Sequence, residues 1–203
     1  MNMWIFSAIP NEIFAKMEGK SFRQDCILPR EDLRYLQVVH WNLRGEEQLG
    51  ELVVNRHIAQ DVLYVFRELY QVKYPIEKIR LIDEYDADDN ASMRDNNSSS
   101  FNFRFIPRTH RISKHGLGMA IDINPLYNPY ITTHDGKTMV DPIEGMPYVD
   151  RTREFPCKIE HGDICCKIFA KYGFEWGGDW TNSLDYQHFE ISTDKIRQIY
   201  PNW

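Results

Sequence analysis

Two short segments of the sequence hold residue types that could bind a metal ion together. The first runs from Ser113 to Asp122 and contains His115, and the second runs from Asp185 to Glu190 and contains His188. Imidazole nitrogens and carboxylate oxygens are common zinc ligands. Two histidines with Asp122 would leave a fourth coordination position for water. That open position is what distinguishes a catalytic zinc site from a structural one.

The spacing requires the chain to turn back between the first two of these residues. Fully extended, the segment from His115 to Asp122 would span roughly 23 Å, whereas two ligands of one ion must lie only about 3–4 Å apart. Gly116 and Gly118 can supply this reversal. Asp122 also lies in an otherwise apolar strand pattern, where a buried carboxylate needs a partner. Each residue alone has an ordinary explanation, because a histidine beside glycine is often a loop donor and a strand aspartate is often an edge or turn residue.

A second possible metal site involves cysteines. Cys157, His161 and Cys165 recur every four residues and would share one face of a helix. However, Gly162 followed by Asp163, a typical N-cap residue, predicts that a helix begins there. The first two candidates would then lie outside the helix. We therefore expect the two adjacent cysteines of that helix to be small, buried apolar residues.

The segment from about Phe101 to Ile191 resembles a known family of zinc peptidases. The pattern S-x-H-x-x-G-x-A-x-D at 113–122, followed by F-x-W-G-G-D-W at 174–180 and D-x-x-H at 185–188, is similar to the D-Ala-D-Ala carboxypeptidase family. That family includes VanY-type and VanX-type enzymes and the L-alanyl-D-glutamate endopeptidases of phages and spores. The resemblance implies an α+β fold with a small antiparallel sheet flanked by helices, of the Hedgehog/D,D-peptidase type.

The resemblance also implies the catalytic roles. His115, Asp122 and His188 would bind one Zn²⁺ ion, and Asp185 would be the general base. Zinc lowers the pKa of a bound water towards about 7, and Asp185 can accept the proton. Because Asp185 and His188 are three residues apart, they would face opposite sides of a regular strand. Asp185 must therefore lie just before that strand and bend inwards.

Other residues receive less specific roles. Arg104 resembles the family's arginine that polarises the scissile carbonyl, and Arg108 is the alternative. Ser113 resembles the motif serine, which would bind substrate or steady a turn. We predict that Trp176, Asp179 and Trp180 either form a wall of the substrate cleft or lie in the core. Glu190 is predicted to form a hydrogen bond with His188.

The rest of the sequence must form the elements that hold these residues. We predict strands at 34–43, 50–54, 78–83, 101–105, 119–124 and 186–191. We predict helices from an Asn55 cap to about 72, at 164–172, and from Asp194 onwards. Polar composition predicts loops at 84–100 and 125–150. All of this fits one peptidase domain over 1–203, with a catalytic half at about 101–191 and an N-terminal extension at about 1–75.

Composition excludes several classes of protein. The 203 residues have a formal net charge of −6, which disfavours non-specific nucleic-acid binding. No apolar run approaches the roughly 18–20 residues of a membrane span. The motifs G-x-S-x-G, G-x-G-x-x-G and H-E-x-x-H and a phosphate-binding glycine loop are not found. Met1–Phe6 is too short an apolar segment for a signal peptide, so action in the cell wall or periplasm would require a leader outside this sequence.

The predicted function is zinc-dependent hydrolysis of peptidoglycan stem peptides. The first expectation is a D-alanyl-D-alanine carboxypeptidase that removes the terminal D-Ala. The alternatives are an L-alanyl-D-glutamate endopeptidase, which an aspartate at 185 slightly favours, and a non-catalytic zinc module that binds wall peptides. A base and an oxyanion donor beside the ligands argue against a pure binding module, because binding requires neither.

Overall fold

The computed structural model describes residues 4–106, 109–134, 136–201 and 203. In these residues the helices are α1 (Asn11–Met17), α2 (Ala59–Gln71), α3 (Asp89–Arg94), α4 (Ile164–Lys171) and α5 (Thr193–Ile199). The strands are β1 (Ile5–Ser7), β2 (Leu33–Trp41), β3 (Glu47–Asn55), β4 (Lys78–Ile79), β5 (Asn97–Ser98), β6 (Ala120–Asp122), β7 (Tyr130–His134), β8 (Lys137–Asp141), β9 (Phe174–Trp176), β10 (Ser183–Asp185) and β11 (His188–Ile191).

The strands of the described residues form small, separate sheets. Antiparallel sheets have the orders β1-β2-β3, β10-β7-β8 and β6-β11-β9, and β4 pairs with β5 in parallel. Helices mix with these sheets without a regular βαβ alternation, so the predicted α+β class is confirmed.

One buried hydrophobic cluster runs through both halves of the chain. Its members extend in sequence from Ile9 to Ile196. Helix α2 packs its apolar side onto β2, because its buried residues recur at spacings of three and four. In the segment predicted to be the catalytic half, the rings of Phe169 and Phe189 stack at 3.9 Å between centroids. This contact joins α4 to the strand that carries His188.

Several predicted elements differ from the structure. Asn55 is the last residue of β3 and does not cap a helix; α2 begins at Ala59. The Asn55 amide instead donates hydrogen bonds to Leu117 O and to the Tyr200 hydroxyl, both at 2.9 Å. The side chain keeps a local contact, because its Oδ1 accepts from His57 N at 3.1 Å, and it adds a tertiary role that the sequence did not suggest.

The strand predicted at 78–83 is limited to Lys78–Ile79 and is followed by a 3₁₀ turn at Ile82–Tyr85. The predicted loop at 84–100 contains α3 and β5. The segment 101–105 is extended but is no strand: Phe101 N donates to Val53 O and Phe103 N to Ser21 O. The predicted excursion at 125–150 contains β7 and β8, so the loop prediction was wrong there.

The helix predicted at 164–172 is confirmed with its cap. Asp163 Oδ1 accepts a hydrogen bond from Cys166 N at 2.7 Å, which satisfies a free amide of the first turn. Ser192 caps α5 in the same way, so the helix begins at Thr193, one residue before the predicted start.

Gly118 holds the turn before β6 against β3. Its φ is +64°, and a β-carbon there would lie 2.7 Å from Asn55 N and 3.1 Å from Val54 C. Gly45 also has a positive φ, +73°, but has open space around it. These two glycines therefore separate the cost of the backbone conformation from the cost of the steric clash.

We expect Gly118→Ala to lower the free energy of unfolding more than Gly45→Ala does. Both alanines pay for the left-handed conformation, about 1–2 kcal/mol. Only Gly118→Ala adds an overpacking cost, typically about 1–3 kcal/mol. Urea denaturation of the two variants and the parent measures the difference. Equal losses would show that β3 yields freely at this contact.

Candidate metal centre

The three predicted ligands come from three adjacent elements of the fold. His115 begins the 3₁₀ turn His115–Leu117, Asp122 ends β6, and His188 begins β11. Strands β6 and β11 are antiparallel, with His188 directly opposite Asp122. Directly opposed residues of an antiparallel pair project to the same face. The strand register therefore brings these two side chains together, and the glycine turn adds His115.

The three side chains form a tight, buried group. His115 Nε2 lies 3.2 Å from Asp122 Oδ2, and His188 Nδ1 lies 2.9 Å from Asp122 Oδ1. The two inner ring nitrogens are 3.1 Å apart. Within the described ranges, this is the one group of histidine, cysteine and acidic side chains whose ligand atoms all lie within 4.8 Å of one another.

The outer nitrogen of each ring is held by an acceptor. His115 Nδ1 lies 2.8 Å from the carbonyl oxygen of Ser100, and His188 Nε2 lies 2.9 Å from Glu190 Oε2. Since a carbonyl oxygen cannot donate, Nδ1 of His115 carries the proton in this contact. The Glu190 carboxylate also accepts, so Nε2 of His188 carries the proton in the other. In the neutral rings, two lone pairs then face each other beside the Asp122 carboxylate. This donor set fits a divalent cation such as zinc.

The charges of the group also favour a cation. Burial opposes ionisation of Asp122, but His115 and His188 hold its pKa well below the usual range. Burial likewise opposes protonation of His188, yet hydrogen bonds to Asp122 and Glu190 raise its pKa to about 10. Carboxylates that stabilise a proton on the ring attract a metal ion at the same position.

Asp185 lies beside the ligands on a strand of its own. It ends β10, opposite Tyr130 of β7, and a turn separates it from His188. The prediction that Asp185 bends in from outside the His188 strand agrees with this arrangement. Gly177 packs against it, since a β-carbon there would lie 2.7 Å from Asp185 O and 3.2 Å from His188 Cβ.

The Asp185 side chain is half-buried, and one oxygen of its carboxylate, Oδ1, is fully buried. In the described part of the chain, no hydrogen-bond partner reaches its Oδ1. Burial raises the pKa of Asp185 to about 7, with His188 opposing the shift and Asp122 adding to it. A cation bound nearby would favour the ionised form. A buried carboxylate in this state is suited to accept a proton near neutral pH.

Arg104 lies near this group in the extended segment after β5. Its Nε pairs with Asp89, and its Nη1 donates to Ser113 Oγ at 2.8 Å. Its charge acts on the Asp185 carboxylate and lowers its pKa. Ser113 Oγ also accepts from the backbone of His115 at 3.3 Å. Ser113 thus steadies the turn, while a substrate contact stays a prediction. Arg108, the alternative to Arg104, lies outside the described residues.

The glycine-rich segment at 174–180 lies against the other side of β11. The buried ring of Trp176 donates from Nε1 to Tyr186 O at 2.9 Å. The Trp180 ring lies 5.3 Å from the His188 ring between centroids, and exposed Asp179 contacts His161 at 3.0 Å. Trp176, Asp179 and Trp180 all line a cleft of about 420 Å³. Their contact with substrate stays a prediction.

The cysteine alternative is not supported. Cys157 has a φ of +60° and lies before α4, and His161 is exposed. Cys165 is fully buried and Cys166 partly so, as expected for small core residues. Because α4 begins only at Ile164, the three candidates lie in different environments.

Two contributors were not identified from the sequence. Asp89 supports Arg104, and Lys114 donates to Glu190 Oε1 at 2.8 Å. Asp89 belongs to the polar segment at 84–100 that was predicted only as a loop. Lys114 stands between two motif residues, but only the fold reveals its partner.

Comparison with known proteins identifies the segment that carries this group. A family model described as D-alanyl-D-alanine carboxypeptidase matches residues 107–191, about two fifths of the chain. No match is found among curated proteins or among solved structures. In the described residues, no helix has the length and apolar character needed to cross a membrane. Residues 107–191 are therefore similar to the D-alanyl-D-alanine carboxypeptidase family, which confirms the resemblance inferred from the motifs.

Proposed function

We propose that the protein is a zinc-dependent peptidase that removes the terminal D-Ala from peptidoglycan stem peptides. The observation that carries this proposal is the position of Asp185 beside a His-Asp-His group, with a buried carboxylate oxygen that has no partner among the described residues. A site that only binds a metal or a peptide has no need of such a group. His115, Asp122 and His188 would hold one zinc ion.

A zinc ion in this position would supply Lewis acidity towards a water and a carbonyl oxygen. The chain's own residues do the rest. Asp185 accepts the proton of the attacking water at its free oxygen and returns it to the leaving amine. Tyr186 and Gln187 form the turn that places Asp185 beside the His188 strand, and Gly177 allows the close approach of the neighbouring loop.

Arg104 is proposed to stabilise the oxyanion. Asp89 and Ser113 hold Nε and Nη1, so the guanidinium has a fixed orientation. Among the described residues, no hydrogen bond involves its Nη2, which leaves this nitrogen for a substrate oxygen. Preorganised donors of this kind stabilise charge that develops in the transition state.

We expect Arg104→Lys to lower kcat with little change in KM. A lysine ammonium cannot keep both existing contacts and also present a third donor, since it lacks the planar fork. The loss should approach the roughly 10²–10³-fold of a missing oxyanion donor. Steady-state kinetics on a D-Ala-D-Ala stem peptide measure it. Arg23→Lys, which alters an exposed pair with Asp25, is the control. An unchanged kcat would remove Arg104 from the mechanism.

The aspartate at 185 supports a second candidate within the same chemistry, an L-alanyl-D-glutamate endopeptidase. Mass spectrometry of muropeptides incubated with the zinc-loaded protein separates the two. Loss of one terminal alanine indicates a carboxypeptidase, and cleavage after L-Ala indicates an endopeptidase. Intact muropeptides would favour a wall-peptide binding module.

Substrate location and chain organisation follow from the same proposal. Peptidoglycan stem peptides are found in the cell wall or periplasm, so the protein would act there. We also propose that residues 1–203 work as one peptidase domain. The buried cluster that extends from Ile9 to Ile196 supports this organisation.

A further inference from the structure

Lys114 and Glu190 form a side-chain bridge between the two elements that carry the histidines. Lys114 directly precedes His115, and Glu190 lies two residues after His188 on β11. The Lys114 ammonium donates to Glu190 Oε1 and to Ile191 O, each at 2.8 Å. The side chains of Lys114 and Glu190 are only 11% and 13% exposed. The bridge is thus largely removed from solvent.

The second oxygen of Glu190 faces the ring of His188. Glu190 Oε2 accepts from His188 Nε2 at 2.9 Å, while His188 Nδ1 faces Asp122 at 2.9 Å. One carboxylate therefore connects the Lys114 ammonium to the histidine ring. An acceptor on the outer nitrogen of a metal-bound histidine fixes its tautomer and its ring orientation.

We propose that Lys114 is a positioning residue for the metal centre and acts through Glu190 on His188. Lys114 holds the Glu190 carboxylate at the angle that directs its second oxygen to His188 Nε2. Without the ammonium, the carboxylate is unpaired in a poorly solvated position, and its free energy falls if it turns towards water. The His188 ring then loses its restraint, and the His115 turn loses its tie to β11.

The inference rests on the proposed zinc site. The geometry indicates that Lys114 acts by orienting Glu190 and not only by neutralising its charge. If Lys114 acted only by neutralising Glu190, its removal would leave a more negative site and tighter cation binding. If it acts by position, removal weakens binding. The two roles therefore predict opposite changes.

The test compares zinc affinity in the full-length parent and in Lys114→Met, measured by competition with a chelator of known affinity. We expect about tenfold weaker binding, the lower end of the effect of outer-shell changes. Lys158→Met is the matched control, because Lys158 is a similarly buried lysine, 7% exposed, paired with Glu160 at 3.0 Å. Lys114→Arg should restore most of the affinity.

A second readout reports ligand geometry directly. With Co²⁺ in place of Zn²⁺, the visible absorption of Lys114→Met should change in position or intensity relative to the parent, while that of Lys158→Met should not. A purely structural role would move the unfolding midpoint of the metal-free protein and leave the Co²⁺ spectrum unchanged.

A double variant tests whether the two residues act as one unit. Glu190→Gln should also weaken zinc binding by about tenfold, and Lys114→Met with Glu190→Gln should be no worse than either single variant. Additive losses, unchanged affinity or tighter binding would each overturn the inference. If Lys114→Met does not fold, Glu190→Gln alone with its Co²⁺ spectrum decides. Absence of zinc binding in the parent would instead refute the proposed function.

Discussion

Asp185→Asn is expected to lower peptide hydrolysis by about 10²–10⁴-fold, the usual contribution of a general base. Asparagine keeps the size of the side chain and removes its ability to accept the proton. Because Asp185 is not one of the three grouped ligands, zinc content and the unfolding midpoint should stay close to those of the parent. Kinetics with a stem peptide, together with metal analysis of the same preparation, measure both properties.

The matched control for this variant is Asp83→Asn. Asp83 is also a buried aspartate whose pKa is raised by burial, but it accepts from Ser21 in another part of the fold. That variant should change stability without changing kcat. If Asp185→Asn loses its zinc, Asp185 is a ligand. If it keeps both zinc and full activity, another carboxylate is the base.

His115→Ala and His188→Ala are each expected to abolish stoichiometric zinc binding. The parent should retain about one zinc per chain after dialysis, and either variant should retain almost none, because two ligands seldom hold zinc in a protein. His57→Ala, which removes a histidine that packs edge-on against Tyr200, should keep the metal.

Thermal unfolding provides an independent measure of the same expectation. A ligand that binds only the folded state stabilises it by about 4 kcal/mol at a thousandfold excess over Kd. Added zinc should therefore raise the unfolding midpoint of the parent and of His57→Ala, but not that of the two ligand variants. Zinc retained by both ligand variants at neutral pH would falsify the site.

The sequence was most informative where local pattern and tertiary position agree. Asp122 interrupts an apolar strand and His188 begins another, and the register places them opposite each other. The helix after Asp163 carries its own cap and was predicted with its boundaries nearly correct. The strand and helix patterns depend on residues close together in the chain, whereas the grouping of Asp122 with His188, 66 residues apart, was expected from the family resemblance.

The features that could not be predicted depend on distant partners. Phe101 and Phe103 alternate as in a strand because both are buried, yet their backbone amides donate to separate segments. Strands β7 and β8 contain three threonines among their ten residues, and Lys137, Thr138 and Met139 are consecutive exposed residues, so they lack the apolar alternation of a half-buried strand. The sequence position of Asn55 resembles a helix cap, and only the fold shows that its side-chain amide donates to Leu117 O.

The contacts between Asn55 and the turn at Leu117–Gly118 limit how this protein can be rearranged in evolution or by engineering. Asn55 N donates to Gly118 O and the side-chain amide donates to Leu117 O, each at 2.9 Å. A recombination breakpoint between 56 and 100 would join the segment from about 101 to 191 to a foreign partner that lacks both donors. Chimeras should therefore tolerate exchange only when β3 travels together with the segment that carries His115.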